Sequence, residues 1–242
     1  MSARTLVPVA VTGLVLAAMS HPAVATRIAS ALGDAPRRAL DVDRLLALAM
    51  QHIALAGTGF ALVAILGLGL GILATRRTGA RLRPAIDALA AGAQAVPPVV
   101  TVALALPILG FGGPPTLLAL VGYGVMPTLR GTAGALEAVS PEARAAAEAM
   151  GMTRLQILIG VELPLAAPEI VEGLRTALVL AVATAAVGAL AGASTFGTPI
   201  VAGLQNQNTV PMLQGAAATA ALAFLGDAAL LGLAAALRIN RP

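Results

Sequence analysis

The chain has 242 residues, a mean hydropathy of +0.91, 58% hydrophobic residues and only 11% charged ones. A soluble domain of this size needs roughly 25% charged residues to cover its surface, so much of this surface faces something other than water. The net charge of +4 comes from arginine alone, because lysine and cysteine are both absent; this excludes a phosphate-binding Gly-Lys-Ser/Thr loop, a Schiff-base lysine, disulfides and cysteine metal sites. Aromatic residues are few, with four Phe, one Tyr and no Trp. The apolar mass is therefore Ala, Leu, Val and Gly, which let membrane helices approach closely. An all-α polytopic membrane protein is the expected fold class.

A spanning helix needs about 20 mostly apolar residues to cross roughly 30 Å of hydrocarbon, and about six segments meet that measure. The first covers residues 5–19 behind Arg4. With Ala23-Val24-Ala25 after it, it reads either as a retained helix or as a signal-like segment. His21 to Arg44 forms an outer loop whose Arg27, Arg37, Arg38 and Arg44 are nearly balanced by Asp34, Asp41 and Asp43. The second segment, 52–75, stops at Arg76-Arg77, and its Gly67 and Gly71 form a Gly-x-x-x-Gly packing pair beside Gly69. The third, 86–109, contains Pro97-Pro98 and, near its outer end, Pro107. Proline frees carbonyls and bends a membrane helix, so this is either a pathway-lining kink or a packing bend. The fourth, fifth and sixth segments cover 116–135, 170–190 and 211–237. Two units are expected: an N-terminal helix and extracytoplasmic loop over 1–50, and a transmembrane domain over 51–242.

Arginine marks the cytoplasmic side. Arg76, Arg77, Arg81 and Arg83 share one short loop, Arg144 and Arg154 lie between the fourth and fifth spans, and Arg238 and Arg241 follow the last. Six spans with both termini in the cytoplasm accommodate all of these. Basic residues placed beside apolar spans report topology, not nucleic-acid binding.

The most informative stretch is the polar connection over 137–164. Ser140 suits an N-cap, Pro141 the first helical position, Glu142 the positive end of the helix dipole, and Gly151 a left-handed stop. A second short helix is expected over 154–161, ending at Pro164. The thin, alanine-lined first helix suits a groove in a partner.

This stretch resembles the coupling ("EAA") loop of ABC-importer permeases, whose pattern is Glu-Ala-Ala, three residues, Gly, nine residues, then Ile-x-Leu-Pro. Ala146, Ala147 and Gly151 fall on it, Met152 follows the glycine, and Val161, Glu162, Leu163 and Pro164 arrive at the expected distance. The pattern's glutamate falls on Ala145, with Glu142 and Glu148 on neighbouring turns. From about residue 52 to 236 the chain is similar to the osmoprotectant branch, which imports glycine betaine, carnitine or choline. Leu70 to Ala74, Gln94 to Pro97, Leu106 to Gly110, Leu129 to Thr132, Ala149 to Thr153 and Gly173 to Ala177 carry the likeness. Gly192-Ala-Ser-Thr-Phe-Gly197 stands where that branch has a glycine-rich run, with Ser194, Thr195 and Phe196 departing from it. The resemblance implies a type I ABC-importer permease fold in the inner (plasma) membrane, and a second permease copy, identical or similar. It also implies an extracytoplasmic binding protein and two ATPase subunits on the cytoplasmic loops, which carry ATP and Mg. No cofactor is expected on this chain.

Polar residues within spans are functional suspects. Arg175 has Glu172 and Glu169 within one or two turns, so an i, i+3 ion pair with Glu172 is expected. Asp227 reads equally as structural pairing or a pathway role, and Asp87 has Arg83 one turn away. Quaternary ammonium groups are recognised by aromatic cages, which Tyr123 and four phenylalanines are too few to build. The high-affinity site is therefore expected on the binding protein. Pro97, Pro98, Tyr123, Thr184, Ser194, Asn206 and Asn208 are the candidates for a weak pathway or outer gate. His21 and His52 have no carboxylate or cysteine at ligand spacing, so no metal site is expected, and nothing resembles a nucleophile with its base. The competing readings are a permease for another small solute, such as an amino acid, and an ATPase-independent secondary transporter.

Overall fold

Where no water reaches the backbone, each segment satisfies its own polar groups, and every regular element among the described residues is a helix. The computed structural model describes residues 3–33, 38–76, 79, 81 and 83–237. Asp34, Arg37, Arg77, Arg238 and Arg241 lie outside these. The helices are α1 (Ala3–Met19), α2 (Pro22–Ala31), α3 (Val42–Thr75), α4 (Arg83–Ala95), α5 (Pro98–Leu109), α6 (Gly113–Glu137), α7 (Pro141–Ala149), α8 (Arg154–Ile157), α9 (Leu163–Val187), α10 (Gly197–Gln205) and α11 (Thr209–Ala236).

The centre of the bundle is α3 against α6 and α9. Asp41 starts α3, its Oδ1 accepting the Arg44 N–H at 2.8 Å, and the helix runs 34 residues, about 51 Å at 1.5 Å per residue. Its approach to α6 depends on small residues. A Cβ added at Gly67 would lie 2.5 Å from the Thr128 Cβ, and one at Gly71 2.6 Å from the Thr132 Cβ. The same addition at Gly69 meets nothing within 4 Å. Gly67 and Gly71 therefore form the packing face and Gly69 looks away from it. The Thr128 and Thr132 hydroxyls donate to carbonyls one turn back, at Gly124 and Thr128, so they enter the interface without unpaired donors. Val63 and Leu120 continue the contact with Ala177 and Ala181 of α9.

Contacts at both ends of this bundle place the remaining helices. The α5–α6 turn meets the far end of α9 through the Gly112 N–H and the Ala191 carbonyl, 2.7 Å apart. The start of α4 meets the end of α6 through Arg83 and Glu137. Against the six spans expected, three helices among the described residues, Val42–Thr75, Arg154–Ala191 and Thr209–Ala236, are long and apolar enough to cross a membrane by themselves, or four if the bent pair Thr5–Met19 and Pro22–Ala31 is one span. The expected fourth segment is α6, which carries Arg130 and three prolines and has twelve buried residues. A helix enclosed by other helices does not need an apolar surface.

The expected span over 86–109 is two helices, because Pro97 and Pro98 lack the N–H groups that would carry one helix across. Pro98 instead begins α5. The outer loop expected before Arg44 contains the helix α2, bent by 81° from α1. The 50/51 division falls inside α3, which begins at Val42.

Candidate functional site

At one end of the bundle α7 has the boundaries expected of it. The Ser140 Oγ accepts the Ala143 N–H at 3.1 Å, and Pro141 is the first helical residue. Gly151 closes the helix at φ +79. Its N–H bonds the Glu148 carbonyl at 2.9 Å and the Met152 N–H bonds the Ala147 carbonyl at 3.2 Å, which is the Schellman arrangement. Ala147 is buried while Glu142, Ala145, Ala146 and Ala149 are exposed. Their spacing of i, i+3, i+4 and i+7 puts these four on one face. That face is a low ridge of methyl groups, with Glu142 at its start and the exposed Met150 just past its end. Ala145 is on this face, and Glu142 rather than Glu148 is the acid that shares it.

Downstream, the structure corrects the expectation of a separate short helix. The Thr153 hydroxyl accepts the Gln156 N–H and the Gln156 side chain accepts the Thr153 N–H, a capping box that starts α8. The helix then continues into α9 through Leu158–Glu162, a turn of π-helix. Pro164 has no N–H for the Gly160 carbonyl and its ring crowds that carbonyl. The chain widens instead of stopping, and the Leu163 N–H reaches the Leu158 carbonyl five residues back.

Glu162 in this turn is buried at 5% exposure, and a carboxylate there needs partners. Oε2 accepts from Arg76 at 2.7 Å and Oε1 from Arg144 at 2.8 Å. Arg144 also donates to the Leu136 carbonyl near the end of α6. One carboxylate thus joins the end of α3, the helix α7 and the root of α9. Arg76, Arg144, Glu162, Glu148 and Arg154 line an open cleft of about 330 Å³ here. Nearby, Arg83 bonds Glu137 and lies 3.8 Å from Asp87, one turn away. The bond to Glu137, and then that carboxylate's charge, raises the Arg83 pKa above its ordinary value.

Arg175 pairs with Glu172 at 2.8 Å, the local pair expected from the sequence. It also forms a two-pronged contact with Asp227 of α11, with Nη2 to Oδ2 at 2.8 Å. Asp227 therefore has a structural partner.

The pathway candidates are not gathered in one place. Pro97 is exposed before α5 and Pro98 is its first residue; Tyr123 is half-buried on α6; Thr184 is buried on α9; and Ser194 is half-buried in the turn before α10. Asn206 and Asn208 share an open cleft of about 430 Å³ with Arg38, Asp41, Arg44 and Thr198. Asn208 also caps α11 through the Val210 N–H and donates to the Arg38 carbonyl.

Two polar residues, His52, considered from the sequence only as a metal ligand, and Gln214, not singled out there, organise the opposite end. His52 is fully buried. Its Nε2 lies 3.0 Å from the Val182 carbonyl and its Nδ1 accepts the Phe196 N–H at 3.1 Å. A carbonyl can only accept and an amide N–H can only donate, so the ring is neutral with its proton on Nε2. Gln214, equally buried, accepts the Leu40 N–H and donates to the Leu40 and Ser20 carbonyls. A lone polar residue inside an apolar run was the only sequence signal for either.

Residues 67–239 match the family described as binding-protein-dependent transport system inner membrane component. The glycine betaine/carnitine/choline transport system permease protein of Bacillus subtilis is 35% identical over 178 residues, covering 73% of this chain and 77% of that protein. A carnitine transport permease protein of Listeria monocytogenes is 34% identical over 178 residues, covering 73% and 79%. In three dimensions, an inward-facing methionine ABC transporter structure superposes with a TM-score of 0.71 at 22% identity, covering 83% of this chain and 98% of that one.

Proposed function

This chain belongs to the binding-protein-dependent transport system inner membrane components and is the permease component of an ABC importer; from that premise we propose that it carries a quaternary amine of the glycine betaine, carnitine or choline class. A binding protein delivers the solute at the end holding Arg38, Asp41 and Asn206. A separate ATPase, which carries ATP and Mg, docks on α7 at the other end, and that end faces the cytoplasm together with both chain termini. A second permease copy completes the pathway.

The observation that carries the docking proposal is the exposed face of α7. Its small side chains and short, doubly capped helix suit insertion into a groove, and Glu142 offers one acid to a basic partner. The substrate class rests on the relatives, whose names give these solutes as their own. In this chain one ring contact, His52 with Phe196 at 5.1 Å, is present among the described residues. This supports a weak pathway with the high-affinity site on the binding protein. The pairing of Asp227 with Arg175 takes away the one carboxylate within a span that favoured an ion-coupled secondary transporter.

The test is purification of the tagged chain from its native membrane in mild detergent, with Gly151→Asp alongside. An ATPase that accompanies the native chain and is lost from the variant supports docking at α7; no ATPase with an intact oligomer refutes it. Uptake of labelled glycine betaine, competed by choline and carnitine but not by amino acids, supports the substrate class. The reverse pattern of competition refutes it.

A further inference from the structure

We propose that Glu162 is the positioning residue through which movement of α7 reaches the membrane helices. The inference rests on the reading that α7 receives the ATPase, and deepens it by naming the joint. Little else holds α7 to the bundle. It has nine residues, and Ala147 is its one buried side chain. A shift of so short a helix would dissipate in its flanking turns unless a directional contact passed it on. Arg144 supplies that contact. It leaves the half-buried side of α7, takes Oε1 of Glu162, and extends to the Leu136 carbonyl.

Glu162 distributes the load. Its second oxygen holds Arg76, which stands immediately beyond the last residue of α3. Arg76 is itself tied to the Thr75 hydroxyl through Nε and Nη2. A pull on α7 therefore acts on α3 and α9 through one buried carboxylate, while Arg144 reaches α6 directly. Because the carboxylate is shielded from water, these contacts are less screened by salt than the exposed pair Arg83–Glu137.

The backbone at this point is suited to yield. Glu162 closes the π-helical turn, where the ladder runs i to i+5 and Pro164 contributes no donor. Such turns hold one residue more than an α-helix needs and are frequent at functional sites. The long helix Arg154–Ala191 can bend or rewind there more readily than along its regular length.

The test uses the complete importer, with its ATPase and binding protein, reconstituted in liposomes. Solute transported per ATP hydrolysed is measured for the native chain, Glu162→Gln, Glu162→Asp and Arg144→Gln. Loss of folded protein lowers transport and hydrolysis together and leaves this ratio unchanged, whereas a broken joint lowers the ratio. The expected result is about a tenfold fall for Glu162→Gln and Arg144→Gln, on the scale of one charge-assisted hydrogen bond. Glu162→Asp keeps the charge and is expected to fall between them and the native chain. An unchanged ratio in the two Gln variants overturns the proposal. So does loss of the ATPase from Glu162→Gln, which would make Glu162 part of the docking surface. Failure of the native chain to retain any ATPase would instead refute docking at α7 itself, and the joint with it.

Discussion

The contact between α3 and α6 makes a prediction whose sign alternates over four residues. At Gly67 an added methyl carbon would sit 2.5 Å from the Thr128 Cβ and 2.6 Å from its Cγ2. Carbon atoms in good contact are about 3.5–4.0 Å apart, so Gly67→Ala requires the helices to part by roughly 1 Å or Thr128 to move. Overpacking of this kind costs about 1–3 kcal/mol. Gly71→Ala meets the Thr132 Cβ at 2.6 Å and the Leu129 carbonyl oxygen at 2.8 Å, and backbone cannot swing aside. Gly69→Ala, with nothing within 4 Å, keeps only the helix-propensity gain of up to about 1 kcal/mol. The assay is thermal unfolding of the purified chain in mild detergent, followed by circular dichroism. At about 2–4 °C per kcal/mol for a chain of this size, Gly67→Ala and Gly71→Ala lower Tm by about 2–12 °C. Gly69→Ala leaves it unchanged or slightly raised. If Gly69→Ala destabilises as much as Gly67→Ala, the packing face has been assigned wrongly and the argument fails.

Arg175→Met strands Asp227 between α9 and α11, and breaking a paired charge of this kind costs about 3–5 kcal/mol. The double variant Arg175→Met/Asp227→Leu regains most of that loss in the same unfolding assay, and a double variant no better than the single one contradicts the pairing. His52→Leu leaves the Phe196 N–H without its acceptor, at a cost of about 1–3 kcal/mol. Since the chain has no cysteine, Ser194→Cys reports on that turn. Maleimide labels it faster in the His52→Leu background, and an unchanged rate refutes the tether. Gln214→Leu removes both bonds to the Leu40 backbone, so an Ala39→Cys label becomes more reactive. Equal reactivity would mean that α11 does not hold this segment.

The local features of α7 were legible because each rests on residues close in sequence. Ser140 and Ala143 are three apart, and Gly151 reports its own backbone preference. The Gly67 and Gly71 pair was legible for the same reason, since helical period alone puts them on one face. Glu172 and Arg175, one turn apart, were another such pair. The reading failed at Pro164, where proline was expected to end a helix. A widened turn lets a helix pass a proline, and no neighbouring residue announces it. It also left open the role of Asp227, whose partner lies 52 positions away.

Composition by itself determined that the chain is a helical membrane protein. Too few charges cover its surface, and the missing lysine excludes a Gly-Lys-Ser/Thr phosphate loop in this sequence. The resemblance of residues 145–164 to the pattern of ABC-importer permeases implied a coupling loop there. Only the tertiary structure decided that Glu162 gathers Arg76 and Arg144, that His52 and Gln214 tie distant backbone segments, and that the alanine face of α7 is turned outward. Caps and periodicities act within a turn or two of helix, where the chain's own geometry fixes which groups can meet. The pairing of Arg76 with Glu162 spans 86 positions, and its partner is chosen by how α3, α6 and α9 pack.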